Sequence, residues 1–259
     1  MPAWICQTCG VQYAETEEPP EECAICLDER QYVGEDGQRW TTLPELRAER
    51  RAEIRDEFGL LGIGCEPSFA IGQRALLVDN VLWDCTPLLD GMAEVVAERR
   101  GLRAIAIDHP HFQSTAVEWS RAFSGVPVYV HADDREWIMR ADPCFEFWQG
   151  EELDLGGGLT LLRLGGHFAG GQVLHWAEEN ALLTGDIVTV VADRRYVSFM
   201  YSYPNLIPLP ASSIRRIAEK LEPWDFDRIY GGWWGRIVER DAKDAVRRSA
   251  ERYVRAVGG

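Results

Sequence analysis

Four cysteines near the start of the chain set the tightest constraint on how it folds. Cys6-Gln-Thr-Cys9 and Cys23-Ala-Ile-Cys26 are two C-x-x-C pairs separated by 13 residues. A C-x-x-C turn places two thiolates on one side of a tetrahedral ion, and two such turns close the coordination shell. A segment of ~40 residues has too little core to fold alone, so a bound metal supplies the missing stability. Four thiolates suit Zn²⁺ and iron alike. A disulfide reading is disfavoured in a reducing compartment. Cys65, Cys85 and Cys144 are scattered and read as small buried hydrophobes.

Charge marks off the same segment. Residues 1–40 carry nine acids against Arg30 and Arg39, within a chain whose net charge is −15. So acidic a protein repels phosphate backbones and anionic lipid, which argues against nucleic acid or membrane as a partner. No apolar run approaches the ~20 residues that span a bilayer. The start, MPAWICQTCG, lacks a basic region followed by an apolar stretch, so the expected location is cytoplasmic. Residues 41–60 are nearly balanced, and TTLPELRAERRAEIRDEF predicts a helical connector, with Thr41 or Thr42 as cap and Pro44 in the first turn.

From residue 61 to 259 strands and helices alternate. FAIGQRALLVDN and VLWDC read as two strands around Asp79-Asn80. TPLLDGMAEVVAERRG is an amphipathic helix stopped by Gly101, and RAIAID is a short apolar strand. TAVEWSRAF, SSIRRIAEKL and DAKDAVRRSAERYVRAV read as helices; VPVYVH, LTLLRL, GQVLHWAE, NALLTGDIV and FDRIYGG read as strands. VSFMYSYPNLIPLP, aromatic and rich in proline, is expected to be an ordered loop. The pattern as a whole is that of a layered α/β body.

Three of the five histidines fall at strand ends. His109-Pro110-His111 follows RAIAID directly, and side chains at i and i+2 of extended backbone point the same way. Gly165-Gly166-His167 and Thr184-Gly185-Asp186 each follow or end an apolar strand, and glycine lets the backbone approach an ion closely. His131 and His175 read as structural. Asp133 and Asp134 resemble a helix start. There is no G-x-S-x-G nucleophile elbow and no glycine-rich phosphate loop after a strand.

The ordered set of strand-HxH, GGH and TGD resembles the metallo-β-lactamase superfamily, an αββα sandwich, over residues 61–259. The chain as a whole, cysteine ribbon included, is similar to an uncharacterised group of hydrolases of that superfamily. Cys6 to Tyr13 also resembles a rubredoxin knuckle. The resemblance makes Asp84 the early structural acid and His109, His111 and His167 the ligands of the first metal site. Asp186 matches the acid that bridges two metals. Where the family completes H-x-H-x-D-H, this chain has Gln113 and Ser114. Where a late histidine is expected, it reads Tyr230-Gly231-Gly232-Trp233-Trp234. The second site therefore lacks three ligands, and one metal is expected in the body, zinc or iron, on His109, His111, His167 and Asp186.

A three-histidine zinc with an open position lowers the pKa of its water toward ~7. With one metal, esters, thioesters, lactones and amides are favoured over phosphodiesters as small-molecule substrates. A second reading takes His109, His167 and Asp186 as the two-histidine, one-carboxylate iron set of the persulfide dioxygenases in the superfamily, fed by a rubredoxin-like module. A third keeps the fold and metal without catalysis. Tyr201, Tyr203 and Trp233 are the candidate substrate-contacting aromatics. Arg236 reads as a surface salt bridge, though it could reach an anionic substrate group. The ribbon is expected to dock near the active edge or to form a homodimer contact.

Overall fold

The protein is described by a computed structural model covering residues 1–258. It divides into two compact units. One comprises Met1–Val130 with Arg135–Phe147, and the other His131–Asp134 with the chain from Trp148 onward.

The first unit opens with the ribbon. Strands β1 (Ala3–Cys6), β2 (Gln12–Glu15) and β3 (Trp40–Thr42) form a sheet in the order β2-β1-β3, with the one-turn helix α1 (Ala24–Leu27) between β2 and β3 in sequence. Helix α2 (Leu43–Glu49) has Thr42 as its cap in a reciprocal capping box with Glu45, and Pro44 in its first turn. The helical connector does not run through residue 60. It stops at Arg50, and β4 (Arg51–Glu57) pairs along its whole length with β5 (Leu60–Glu66). Phe58 and Gly59, both at positive φ, form the two-residue turn between them. The alternating charges of Arg51–Glu57, read as a helix face, instead protect an edge strand from pairing with other chains.

Strands β6 (Ala75–Val78) and β7 (Val81–Trp83), helix α3 (Met92–Glu98), strand β8 (Ala104–Ala106), helix α4 (Ala116–Ala122), and strands β9 (Val128–His131) and β10 (Phe145–Trp148) complete a seven-stranded sheet. Its order is β10-β9-β8-β7-β6-β5-β4, with β7, β8 and β9 parallel. Ribbon and sheet are joined by a half-buried polar knot. The Arg140 guanidinium donates to Gln12 Oε1 (2.6 Å), Glu15 Oε1 (3.1 Å) and Glu118 Oε1 (2.5 Å). Trp137 and Met139 pack on the cysteine cluster.

The second unit carries β11 (Glu152–Gly156), β12 (Leu159–Arg163), β13 (Gln172–Trp176), β14 (Ala181–Gly185), β15 (Thr189–Val190), β16 (Val197–Ser198), β17 (Met200–Ser202) and β18 (Ile207–Pro208). Helix α5 (Ala211–Leu221), strands β19 (Arg228–Gly231) and β20 (Ile237–Val238), and helix α6 (Ala242–Ala256) follow. Its main sheet runs β11-β12-β13-β14-β19-β20, the β14–β19 pair being parallel. Ile214 and Ile217 of α5 and Val246 of α6 join Leu162, Val173 and Leu182 of that sheet in one core. The segment expected to be a loop contains strand β16 and the hairpin β17–β18. No helix among the described residues is long and apolar enough to cross a membrane.

Removing the arginine takes the donor from Gln12 Oε1 and Glu15, and leaves Glu118 only the neutral Gln12 Nε2 (3.2 Å). Arg140→Ala is expected to lower stability of the metal-loaded protein by about 2–4 kcal/mol in chemical denaturation. A loss below about 0.5 kcal/mol, the size of an ordinary surface pair, would show that the ribbon is held by other contacts.

Candidate metal centres

The four cysteines of the two C-x-x-C pairs meet inside the ribbon. Cys6 Sγ lies 3.5 Å from Cys26 Sγ, and Cys9 Sγ 3.6 Å from Cys23 Sγ. All four sulfurs fall within 4.8 Å of one another, all four residues are buried, and none is in a disulfide. Four thiolates about 2.3 Å from a tetrahedral ion stand roughly 3.8 Å apart, so the donor set fits a single metal. Each knuckle is closed by its backbone: Gly10 N–H donates to Cys6 C=O (2.9 Å), and Leu27 N–H to Cys23 C=O (3.0 Å). Outer donors surround the sulfurs, with Gln38 Nε2 3.1 Å from Cys6 and Tyr13 Oη 3.4 Å from Cys23. Hydrogen bonds from Cys23 and Cys26 hold the Cys6 thiol far below its ordinary value, whereas burial pushes Cys9 well above it.

The first unit also carries His109 and His111, both buried. Extended backbone does not carry both, contrary to the sequence expectation. His109 is extended, but Pro110–Phe112 forms a 3₁₀ turn closed by Phe112 N–H donating to His109 C=O (3.1 Å). Pro110, with its fixed φ and missing N–H, starts that turn. The two rings meet edge to face with centroids 4.9 Å apart. Asp108 Oδ1 accepts from His109 N–H (2.6 Å) and lies 2.9 Å from His109 Nδ1, beside the ring nitrogen opposite Nε2. Behind it Asp84, held at φ 65°, accepts the Asp108 N–H (2.9 Å). Burial, and then the Asp108 charge, push the Asp84 carboxyl well above the usual range.

His167 and Asp186 belong to the second unit, and both are buried. His167 sits in a loop between β12 and β13 where Gly165 and Gly166 have positive φ. A Cβ at Gly166 would press to 3.0 Å on Ile217 and Leu209, so a side chain there would displace the core. The loop is tied by Asp134, whose Oδ1 accepts the Gly170 N–H (2.7 Å). His167 Nδ1 donates to the Tyr201 carbonyl (2.7 Å), again leaving Nε2 to coordinate. Asp186 follows β14, where Thr189 Oγ1 donates to its carbonyl (2.8 Å).

The aromatic candidates divide. Tyr201 meets His167 through its backbone, and its side chain packs on the core of the second unit. Tyr203 hydroxyl donates to the Asp186 carbonyl (3.2 Å), and its ring centroid lies 6.0 Å from that of His167 and 6.5 Å from that of Trp233. His131 and His175 are structural: His131 Nε2 contacts Gly150 C=O (3.1 Å) and His175 Nε2 contacts Asp225 C=O (2.7 Å). Asp133 and Asp134 lie in a 3₁₀ turn (Ala132–Trp137). Arg236 makes no ion pair among the described residues, against the surface salt bridge expected of it. The orienting groups Asp108 and Tyr201 C=O escaped the sequence reading. Asp108, adjacent to a candidate ligand on the strand end, was the one with a signal.

No family model matches the chain. It is 51% identical over 269 residues to the uncharacterized protein YmaE of Bacillus subtilis (strain 168), covering 99% of this chain and 97% of YmaE. Among solved structures it is similar to the DIM-1 metallo-β-lactamase, with a TM-score of 0.58 at 17% identity over 79% of this chain and 98% of that one. A metallo-β-lactamase from Hirschia baltica gives 0.53 at 16%, covering 77% and 97%. FIM-1 of Pseudomonas aeruginosa gives 0.51 at 13%, covering 79% and 91%. With its four-cysteine ribbon and a metallo-β-lactamase fold, the chain belongs to the family of YmaE.

Proposed function

We propose that this protein is a mononuclear metal-dependent hydrolase. In this reading His109, His111 and His167, with Asp186, hold one ion, zinc or iron. The observation that carries it is the way each unit prepares its own histidine. The Asp108 carboxylate stands 2.9 Å from Nδ1 of His109 and the Tyr201 carbonyl accepts from Nδ1 of His167 (2.7 Å), in each case on the ring nitrogen other than Nε2. Such outer partners orient imidazoles for a metal and raise their basicity. FIM-1, of the same fold, is known in a mono-zinc form.

A divalent ion held there supplies Lewis acidity, polarising a carbonyl and acidifying water. The chain's own residues shape what reaches it. Tyr203, anchored by its hydroxyl on the Asp186 carbonyl, and Trp233 beside it form an apolar aromatic wall in the second unit. That wall suits the acyl or leaving group of an ester, thioester, lactone or amide, the small-molecule class favoured by a single ion. Gln113, Ser114 and Trp233 stand where a second ion would need ligands, and none supplies a carboxylate or imidazole.

Metal analysis of protein purified without added metal is expected to give two ions per chain, falling to one in His109→Ala/His167→Ala and to one in Cys6→Ser/Cys9→Ser. A wild-type stoichiometry of one, unchanged in the histidine variant, overturns the reading. The metal's identity in the cysteine variant separates zinc hydrolysis from iron redox chemistry.

Asp108→Asn keeps the shape beside His109 but removes the charge. It is expected to weaken metal affinity of the histidine site by about 10–100-fold, with the ribbon ion unaffected. Competition with a fluorescent chelator measures both, and equal affinities in variant and wild type would remove Asp108 from the site.

A further inference from the structure

Net charge is −15, yet one face of the second unit gathers arginines. A cavity of about 760 Å³ opens between the 193–195 loop, the 235–241 segment and Arg248 of α6. Arg194, Arg195, Arg240 and Arg248 line it. Arg194 is spread over two carbonyls, Val191 and Gly235 (2.7 Å to the latter), and Arg248 donates to the Arg195 carbonyl (3.0 Å). Their guanidinium charge is thus held in place by neutral acceptors. Arg195 is ion-paired with Asp193 (2.6 Å), which accounts for that acid. Arg194, Arg240 and Arg248, with Arg236 in the adjoining turn, form no ion pair among the described residues. Glu239 and Asp241 line it too, and with Arg195 paired to Asp193 the three remaining arginines still outnumber these two acids. Partial burial and the nearby Arg236 charge both disfavour the Arg194 cation, a cost that a bound anion would relieve.

We propose that this arginine-lined cavity binds a phosphorylated small molecule. Its volume lies in the range of small-molecule sites. Guanidinium forks from a loop, a strand end and a helix can meet several oxygens of one multiply charged group, which a single carboxylate would not fill. The site stands on residues separate from the metal ligands and does not depend on the hydrolase reading.

Isothermal titration of the metal-loaded protein with inorganic pyrophosphate tests this. Saturable binding to one site per chain is expected, weakening as salt is raised. Arg240→Glu/Arg248→Glu, at exposed side chains, is expected to lower the affinity by about 100-fold, roughly tenfold for each lost charge-assisted contact. Arg240→Gln alone, a milder change, should cost about tenfold. Arg99→Glu/Arg100→Glu, an equal charge change in the first unit, should leave binding unaltered. Absence of saturable binding overturns the proposal. So does undiminished binding in the Arg240/Arg248 variant, which would place the anion elsewhere, or an equal loss in both double variants, which would make it a net-charge effect.

Discussion

Two carboxyl groups packed against each other in the interior govern the geometry of the histidine site. Asp84, at the end of β7 and in a left-handed conformation, accepts the Asp108 N–H, and Asp108 in turn takes both the backbone and the ring of His109. Burying two acids side by side is costly unless one binds a proton or a cation compensates. Burial, and then the charge of its neighbour, push the Asp84 carboxyl well above its usual range. The strand ends of β7 and β8 are thereby fixed relative to each other. The Pro110 turn starts from this fixed base.

The same loop is braced from the other side by the ribbon. Gln113, in the turn that follows His111, donates through Nε2 to the Trp137 carbonyl (3.3 Å). The Trp137 ring packs on the cysteine cluster, and the Arg30 guanidinium lies over it at 5.3 Å from the centroid. Glu118 of α4, the helix that follows this loop, is held through Arg140 to Gln12 and Glu15 of the ribbon. All of these contacts lie within one compact unit. Gln113 thus couples the histidine loop to the four-cysteine core, so loosening of that core would loosen the histidine loop as well.

What could be read in the chain beforehand follows from how local each signal is. The C-x-x-C pairs, the β6–β7 hairpin and the strands preceding His109 and Asp186 are written in contiguous residues, and the structure has them where expected. Arg51–Glu57 was misread because its alternating charges suit an exposed helix face and an edge strand equally; only pairing with β5 distinguishes the two. The HxH spacing suits extended backbone, but Pro110 starts a 3₁₀ turn, and neither reading is decided by local residue type alone. Tyr201 was singled out for its ring, but it is the carbonyl, available to any residue type, that holds His167. Backbone acceptors leave no compositional trace, so such partners emerge only with the fold.

The aromatic residues of the second unit have a physical logic of their own. Indole offers a donor and no lone pair for a cation, so Trp233 cannot stand in for an imidazole. It packs near Tyr203, whose ring is edge-on to His167, and the Phe168 ring also meets that histidine, with centroids 5.1 Å apart. Low-polarity walls of this kind strengthen the field of any charge placed among them, because little solvent remains to screen it. A second ion would need charged ligands that these walls lack. A single ion would gain from the same walls, since its pull on a substrate carbonyl is least diluted where water is excluded.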